Sequence, residues 1–238
     1  MMTEYGCLYR AYNKSKKRKP NTIKAMIVPS MNSQELYKEI FNDYLIVERK
    51  ACYLGLSLRR AAVKSKHKHV REIIHYKSSH HNNWIIIVDR AVASFINYLT
   101  VYYRDKHGLN GVSVSSNHLT LTHYTPHFLD RYNERFLKDP KLSKLDLLKQ
   151  FIANNPVEAV ADITDSETKQ CEIFGRFREG VGLGFKEIFS EAGNEIIHFK
   201  TFISNEMILD SQRDGFNSLG EYYNEISVNR LKLNKRRA

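Results

Sequence analysis

Apolar and polar positions along this chain recur with two different periods. Between residues 34 and 65, Leu36, Ile40, Tyr44, Val47 and Leu54 keep near-helical spacing. Ser33 stands before them as an N-cap, so a long helix is predicted there. Residues 84–88 (WIIIV) form an unbroken, β-branched run that predicts a buried strand, and the aromatic-rich 95–104 (FINYLTVYYR) predicts another. Turn residues fill Asp105 to Gly111, and short strands 111–115 and 118–123 follow around Asn117. An antiparallel meander results. A further strand over 22–28 would end at Pro29.

Thr125-Pro126 then opens a helix. Threonine caps well, and proline suits the first helical position, where its missing N–H would be unpaired anyway. That helix runs to about Lys138 and stops at Asp139-Pro140; a second, over about 143–154, ends before Pro156. Strands are predicted at 170–177, 182–190 and 195–204, with Ala192-Gly193-Asn194 turning between the last two. A last helix over 218–233 leads to a basic tail, Lys235-Arg236-Arg237. Strands and helices in separate blocks indicate α+β, an antiparallel sheet with several helices preceded by a basic N-terminal helical segment.

Charge divides the chain in a way that hydropathy does not. Of the net +11, all lies in residues 1–80, with 17 basic and 6 acidic side chains; residues 81–238 hold 20 of each. The division is therefore a basic N-terminal region, 1–80, with a long helix, and an α+β body, 81–238. No apolar run approaches the roughly 20 residues that span a bilayer, so no membrane partner is expected. Cys7, Cys52 and Cys171 are too scattered for a disulfide framework, and no secretory signal is apparent, so the cytoplasm is the expected compartment.

The candidate chemistry sits mostly in the body. On the helix 125–138, Phe128, Leu129, Tyr132 and Phe136 share one face, and His127, Arg131 and Glu134 share the opposite stripe. Histidine exchanges protons near neutral pH, and arginine grips a phosphate bidentately. The stripe reads either as a phosphodiester-cleaving set or as a solvated, salt-bridged face. In the strand 196–204, alternation puts His198, Lys200 and Phe202 on one side and Phe199, Thr201 and Ile203 on the core side. His198 and Lys200 would then project outward together, as half of a nuclease groove or as an ordinary exposed face. Gly180, Gly182 and Gly184 lack the spacing of a phosphate loop and read as close backbone approach.

The N-terminal histidines His67, His69, His75, His80 and His81 stand among lysines, which disfavour a cation, and read as a polar, solvated connection; His107, His118 and His123 read as scattered surface residues. No metal or cofactor is expected. The basic region makes the physical case for nucleic acid. Lys14, Lys16, Lys17, Arg18 and Lys19, then Arg59, Arg60 and Lys64, would neutralise phosphates and release counterions. Tyr5, Tyr9, Tyr12 and Tyr53 would add stacking if exposed.

Residues 124–204, from YTPHFLDRYNERF through a second helix to three strands ending in HFKTFIS, resemble the RelE-like, colicin-type ribonuclease toxins. The resemblance implies helices before an antiparallel sheet and RNA cleavage without metal. His127 or Glu134 would take the 2′-hydroxyl proton, His198 would protonate the leaving oxygen, and Arg131 and Lys200 would stabilise the charge. The expected function is a nucleic-acid-associated protein with metal-independent ribonuclease action, RNA being favoured over DNA. The alternatives are a non-catalytic nucleic-acid-binding or assembly protein of a mobile element or phage-like module, and an adaptor whose basic region meets an acidic protein partner. A shared catalytic site requires His127, Arg131, His198 and Lys200 to converge in one cleft.

Overall fold

A computed structural model describes residues 26–115, 119–157, 159–162, 170–189 and 194–208. The basic run 14–19, Cys7, His118, the tip of the 189–194 turn and the expected last helix lie outside them.

The first helix, α1 (Ser33–Ser57), is capped one residue earlier than the sequence suggests. Asn32 accepts from the Glu35 amide at 2.9 Å, and the Glu35 carboxylate accepts from the Asn32 amide at 3.0 Å. This reciprocal box needs an acid three residues after the cap, which Asn32 has and Ser33 lacks. A short α2 (Arg59–Lys64) follows with little break: the Leu58 amide still donates to Leu54 O, and the Ala62 amide to Leu58 O. The expected 34–65 helix is therefore present with one interruption.

Among the described residues, nine strands form one sheet in the order β1-β2-β3-β4-β5-β9-β8-β7-β6. They are β1 (His69–Lys77), β2 (Asn83–Ala91), β3 (Phe95–Asp105), β4 (Gly108–Val114), β5 (Thr120–Tyr124), β6 (Ala159–Asp162), β7 (Gln170–Phe177), β8 (Gly180–Ile188) and β9 (Glu195–Ser204). Neighbours are antiparallel except β5 and β9, which join the two halves in parallel. The class is α+β.

Two strands were not expected, and the expected 22–28 strand is not one over its described residues 26–28. His69–Lys77 is not a solvated connection but β1, paired with β2 from His69↔Ala91 to Lys77↔Asn83. Its half-buried Val70, Glu72, Ile74 and Tyr76 alternate with exposed His69, Arg71, Ile73, His75 and Lys77. That is the composition of a sheet edge, where charge discourages pairing with other chains. The four-residue β6 is too short to carry a visible period.

Both faces of the sheet are covered. On one, Leu36, Ile40, Tyr44, Val47 and Ala51 of α1 pack against Trp84, Ile86, Val101, Val112, Leu121 and Ile196. On the other, α3 (Pro126–Tyr132) and α4 (Lys144–Asn154) bury Phe128, Tyr132, Leu148 and Phe151 against Ile85, Ile87, Ile173, Phe199 and Phe202. Burial on both faces explains why β2 reads as an unbroken apolar run. Thr125 caps α3 as expected, its hydroxyl accepting from the Phe128 amide at 3.2 Å and donating to Phe199 O at 2.9 Å. The helix ends in a wider π turn over Asn133–Leu137, closed by left-handed Lys138.

One irregularity decides where the β9 side chains go. Leu183 pairs with Thr201 and Gly184 with Phe199, which leaves Lys200 unopposed as a bulge. The bulge resets the alternation, so Phe202 joins Ile197 and Phe199 in the α3–α4 core instead of sharing a side with His198. The expected core side, Phe199 with Thr201 and Ile203, is corrected accordingly. Gly182 lies beneath these rings; a β-carbon there would come within 2.7 Å of Phe199 and 2.8 Å of Phe177. This glycine makes room for rings, whereas Gly180 and Gly184 allow the close backbone approach expected of the glycines, to Ile203 O and His198 O.

Candidate functional site

The four residues expected to share a cleft do not converge. His127, Arg131 and Glu134 come together on the outer side of α3, whose inner side Phe128, Leu129 and Tyr132 occupy. Arg131 donates to Glu134 at 2.6 Å and to His127 Nε2 at 3.4 Å. Their neighbours are also engaged: Asp130 pairs with Lys144, and Arg135 donates to the Phe202 carbonyl. The stripe is a self-paired surface. His198 points through the opposite face of the sheet, sharing the side of Ile196 against α1 rather than that of Phe199 against α3.

Nor does His198 project outward with Lys200. Lys200 is exposed, as expected, but His198 is only 9% exposed. The parallel pairing of β5 with β9 sets it beside His123, with which it is in register. The two Nδ1 atoms are 2.9 Å apart. His123 Nε2 lies 2.9 Å from Asn110 Oδ1, and the Asn110 amide in turn bonds Asp105. His123 is thus buried, not a scattered surface residue.

Hydrogen-bond logic fixes the tautomers of this row. Asn110 Nδ2 donates to the Gly108 carbonyl at 3.4 Å, so its Oδ1 accepts from His123 Nε2–H. His123 Nδ1 is then bare and accepts from His198 Nδ1–H. His198 Nε2 is left with a lone pair, fully buried and without a hydrogen-bond partner. Glu187 Oε2 stands 3.6 Å away, an acceptor facing an acceptor. Phe185 stacks on the His198 ring at 4.7 Å, and Lys200 Nζ sits 5.0 Å from the Phe185 centroid.

Burial keeps both imidazoles neutral. It drives His123 down to about 3, with the positive fields of His198 and Lys200 adding to the effect. It drives His198 down to about 4; Glu187 opposes the fall and Lys200 supports it. Tyr103, near-parallel to His123 at 6.4 Å, is pushed up to about 12 by burial. The arrangement is an oriented, unprotonated imidazole, positioned by a second histidine and an amide, with a half-exposed carboxylate at its mouth.

Part of this row was visible in the sequence. Alternation gives His123 the face of Leu121 and Asn110 the face of Val112, so both fall on core positions. Their meeting with His198 and Glu187 depends on a β5–β9 pairing that no local pattern encodes.

The N-terminal candidates separate into two sets. Lys14, Lys16, Lys17, Arg18 and Lys19 lie outside the described residues. Arg59, Arg60 and Lys64 are exposed on α2 and, with Val63, line an open cavity of about 430 Å³. The nearby histidines scatter: His69 lies 3.4 Å from Asp89, His75 meets Tyr102 edge-on and His80 lies 3.3 Å from Glu39. Among the described residues no three His, Cys, Asp or Glu side chains are grouped to hold a metal. No helix described is long and apolar enough to cross a membrane.

Comparison with protein-family models, with characterised proteins and with solved structures returns no match for this chain.

Proposed function

We propose that this chain binds nucleic acid, RNA in preference to DNA, through the cationic end of its N-terminal helical region. One contrast carries the reading. Several surface cations are matched: Arg71 with Asp89, Arg131 with Glu134, Lys144 with Asp130, Lys149 with Asp146 and Lys186 with Asp162. From residue 49 to 71 the chain has eight Lys and Arg and no Asp or Glu. There Arg59, Arg60 and Lys64 stand exposed with no carboxylate partner among the described residues. Like charges on adjacent turns repel, and a phosphate backbone relieves that repulsion while releasing counterions. A cytoplasmic setting belongs to the same proposal.

Fluorescence anisotropy with labelled RNA tests it. Affinity should fall steeply between about 50 and 200 mM salt, and the log–log slope should shrink by roughly one for each of Arg59, Arg60 and Lys64 changed to Ala. No RNA or DNA binding at the low-salt end would reject the reading, and capture of an acidic protein instead would replace it.

The bare lone pair of His198 favours a second reading, metal-independent cleavage of bound RNA, in which Nε2, buried in this structure, is uncovered when RNA binds. The reacting set is then His198, Glu187 and Lys200, with His127, Arg131 and Glu134 left out. Labelled RNA incubated in chelator should be cut by the native chain and spared by His198→Gln. Intact RNA after prolonged incubation with the native chain removes this reading and leaves binding untouched.

A further inference from the structure

The surface that carries the unpaired cations also carries apolar side chains. Because α1 and α2 are nearly continuous, one helical count covers both. At 100° per residue, Arg49, Tyr53, Leu56, Arg60, Val63 and Lys64 fall within about 100° of one another. Val47, Ala51, Leu58 and Ala62 take the opposite side, against or toward the sheet; of these Val47, Ala51 and Ala62 are fully buried. A purely solvated stripe would be polar throughout. Here Tyr53 is 68% exposed, Leu56 65% and Val63 46%. From Arg49 to Lys64 the stripe runs about 22 Å along the axis.

We propose that this stripe is a binding track for single-stranded nucleic acid, in which a base stacks on Tyr53 and the flanking phosphates meet Arg49, Arg60 and Lys64. The inference rests on the nucleic-acid reading above and narrows it to unpaired strands. An exposed aromatic ring with apolar neighbours offers a face on which a base stacks, and a duplex keeps its base faces stacked inside. Cations alternating with exposed apolar groups therefore match a strand whose phosphates and bases are both accessible.

The test uses the full chain with three labelled probes: a single-stranded RNA, the same sequence as a duplex, and polyglutamate, which has the charge without the bases. The single strand should bind tightest. Tyr53→Ala should weaken it roughly 5- to 100-fold with an unchanged salt slope, while Tyr53→Phe retains affinity. Arg60→Ala should instead reduce the slope by about one. Because Tyr53 is exposed, an unaltered thermal melt will show that Tyr53→Ala folds. Equal binding of duplex and single strand, or indifference to Tyr53→Ala, overturns this inference while the nucleic-acid reading stands. Polyglutamate bound as tightly, and weakened equally by Tyr53→Ala, overturns it in favour of an acidic protein partner. Absence of binding to either RNA ends both.

Discussion

His198 is held by a row of hydrogen bonds that admits one proton arrangement. At neutral pH, nitrogen-15 spectra should show His198 with its proton on Nδ1 and His123 with its proton on Nε2. Neither should titrate near 6.5; His198 should do so only near 4. The consequence for stability has a definite sign. Both folded-state values lie below the unfolded value of 6.5, so the unfolded chain takes up protons first as pH falls. The contribution is present in full above about 6.5 and is lost progressively toward pH 4, on the order of 3 kcal/mol from His198 alone. Urea denaturation at a series of pH values measures it, and flat stability between 6.5 and 4 would contradict the burial argument. His123→Phe keeps the ring but strands Asn110 Oδ1 and His198 Nδ1–H, so it should cost roughly 2–4 kcal/mol. Full retention of stability in that variant would mean the row is not needed for folding.

Individual elements owe their positions to features of one or two residues. The sequence shows Thr125-Pro126 as a helix start because a cap acts within one turn. Its second bond, to Phe199 O, also ties α3 to β9. Thr125→Ala should therefore lose about 1–2 kcal/mol, at the upper end for a cap, by thermal melting. The β9 strand shows the opposite case. Its alternation predicts the wrong partner for Phe202, because a bulge at Lys200 depends on the register of β8 and not on β9 itself. Gly182 reports on that register. Gly182→Ala would press into Phe199 and Phe177 and should destabilise by about 1–3 kcal/mol, and a neutral result would place the β8–β9 pairing elsewhere. β1 was hidden for another reason: an edge strand carries charge on its open face, and charge obscures a period of two.

At the scale of the molecule, the basic region cannot be separated from the body as its charge suggests. The 80/81 boundary falls in the turn between β1 and β2, and α1 covers Trp84, Ile86, Val101 and Val112. A fragment beginning at residue 81 should expose that face, bind a hydrophobic dye and aggregate, whereas the full chain should do neither. A well-behaved, dye-silent fragment would show that the α1 face is dispensable. Tertiary structure also distributes the charge. Ion pairs neutralise several cations of the body where they lie, while Arg59, Arg60 and Lys64 have no carboxylate partner among the described residues.

The local elements were legible in the amino-acid pattern: the long first helix, the capped pair after Thr125 and most of the strands. It also located the whole excess of positive charge. Each depends on spacing, capping or composition within a few residues, which short-range physics reads directly. Which chemistry-bearing residues meet depends instead on long-range strand pairing. His127 and His198 belong to opposite faces because a sheet lies between them. His123 and His198, 75 residues apart, hydrogen-bond because two distant strands pair in parallel. Strand order is set by burial of both faces at once, a condition on the whole chain that no single segment contains.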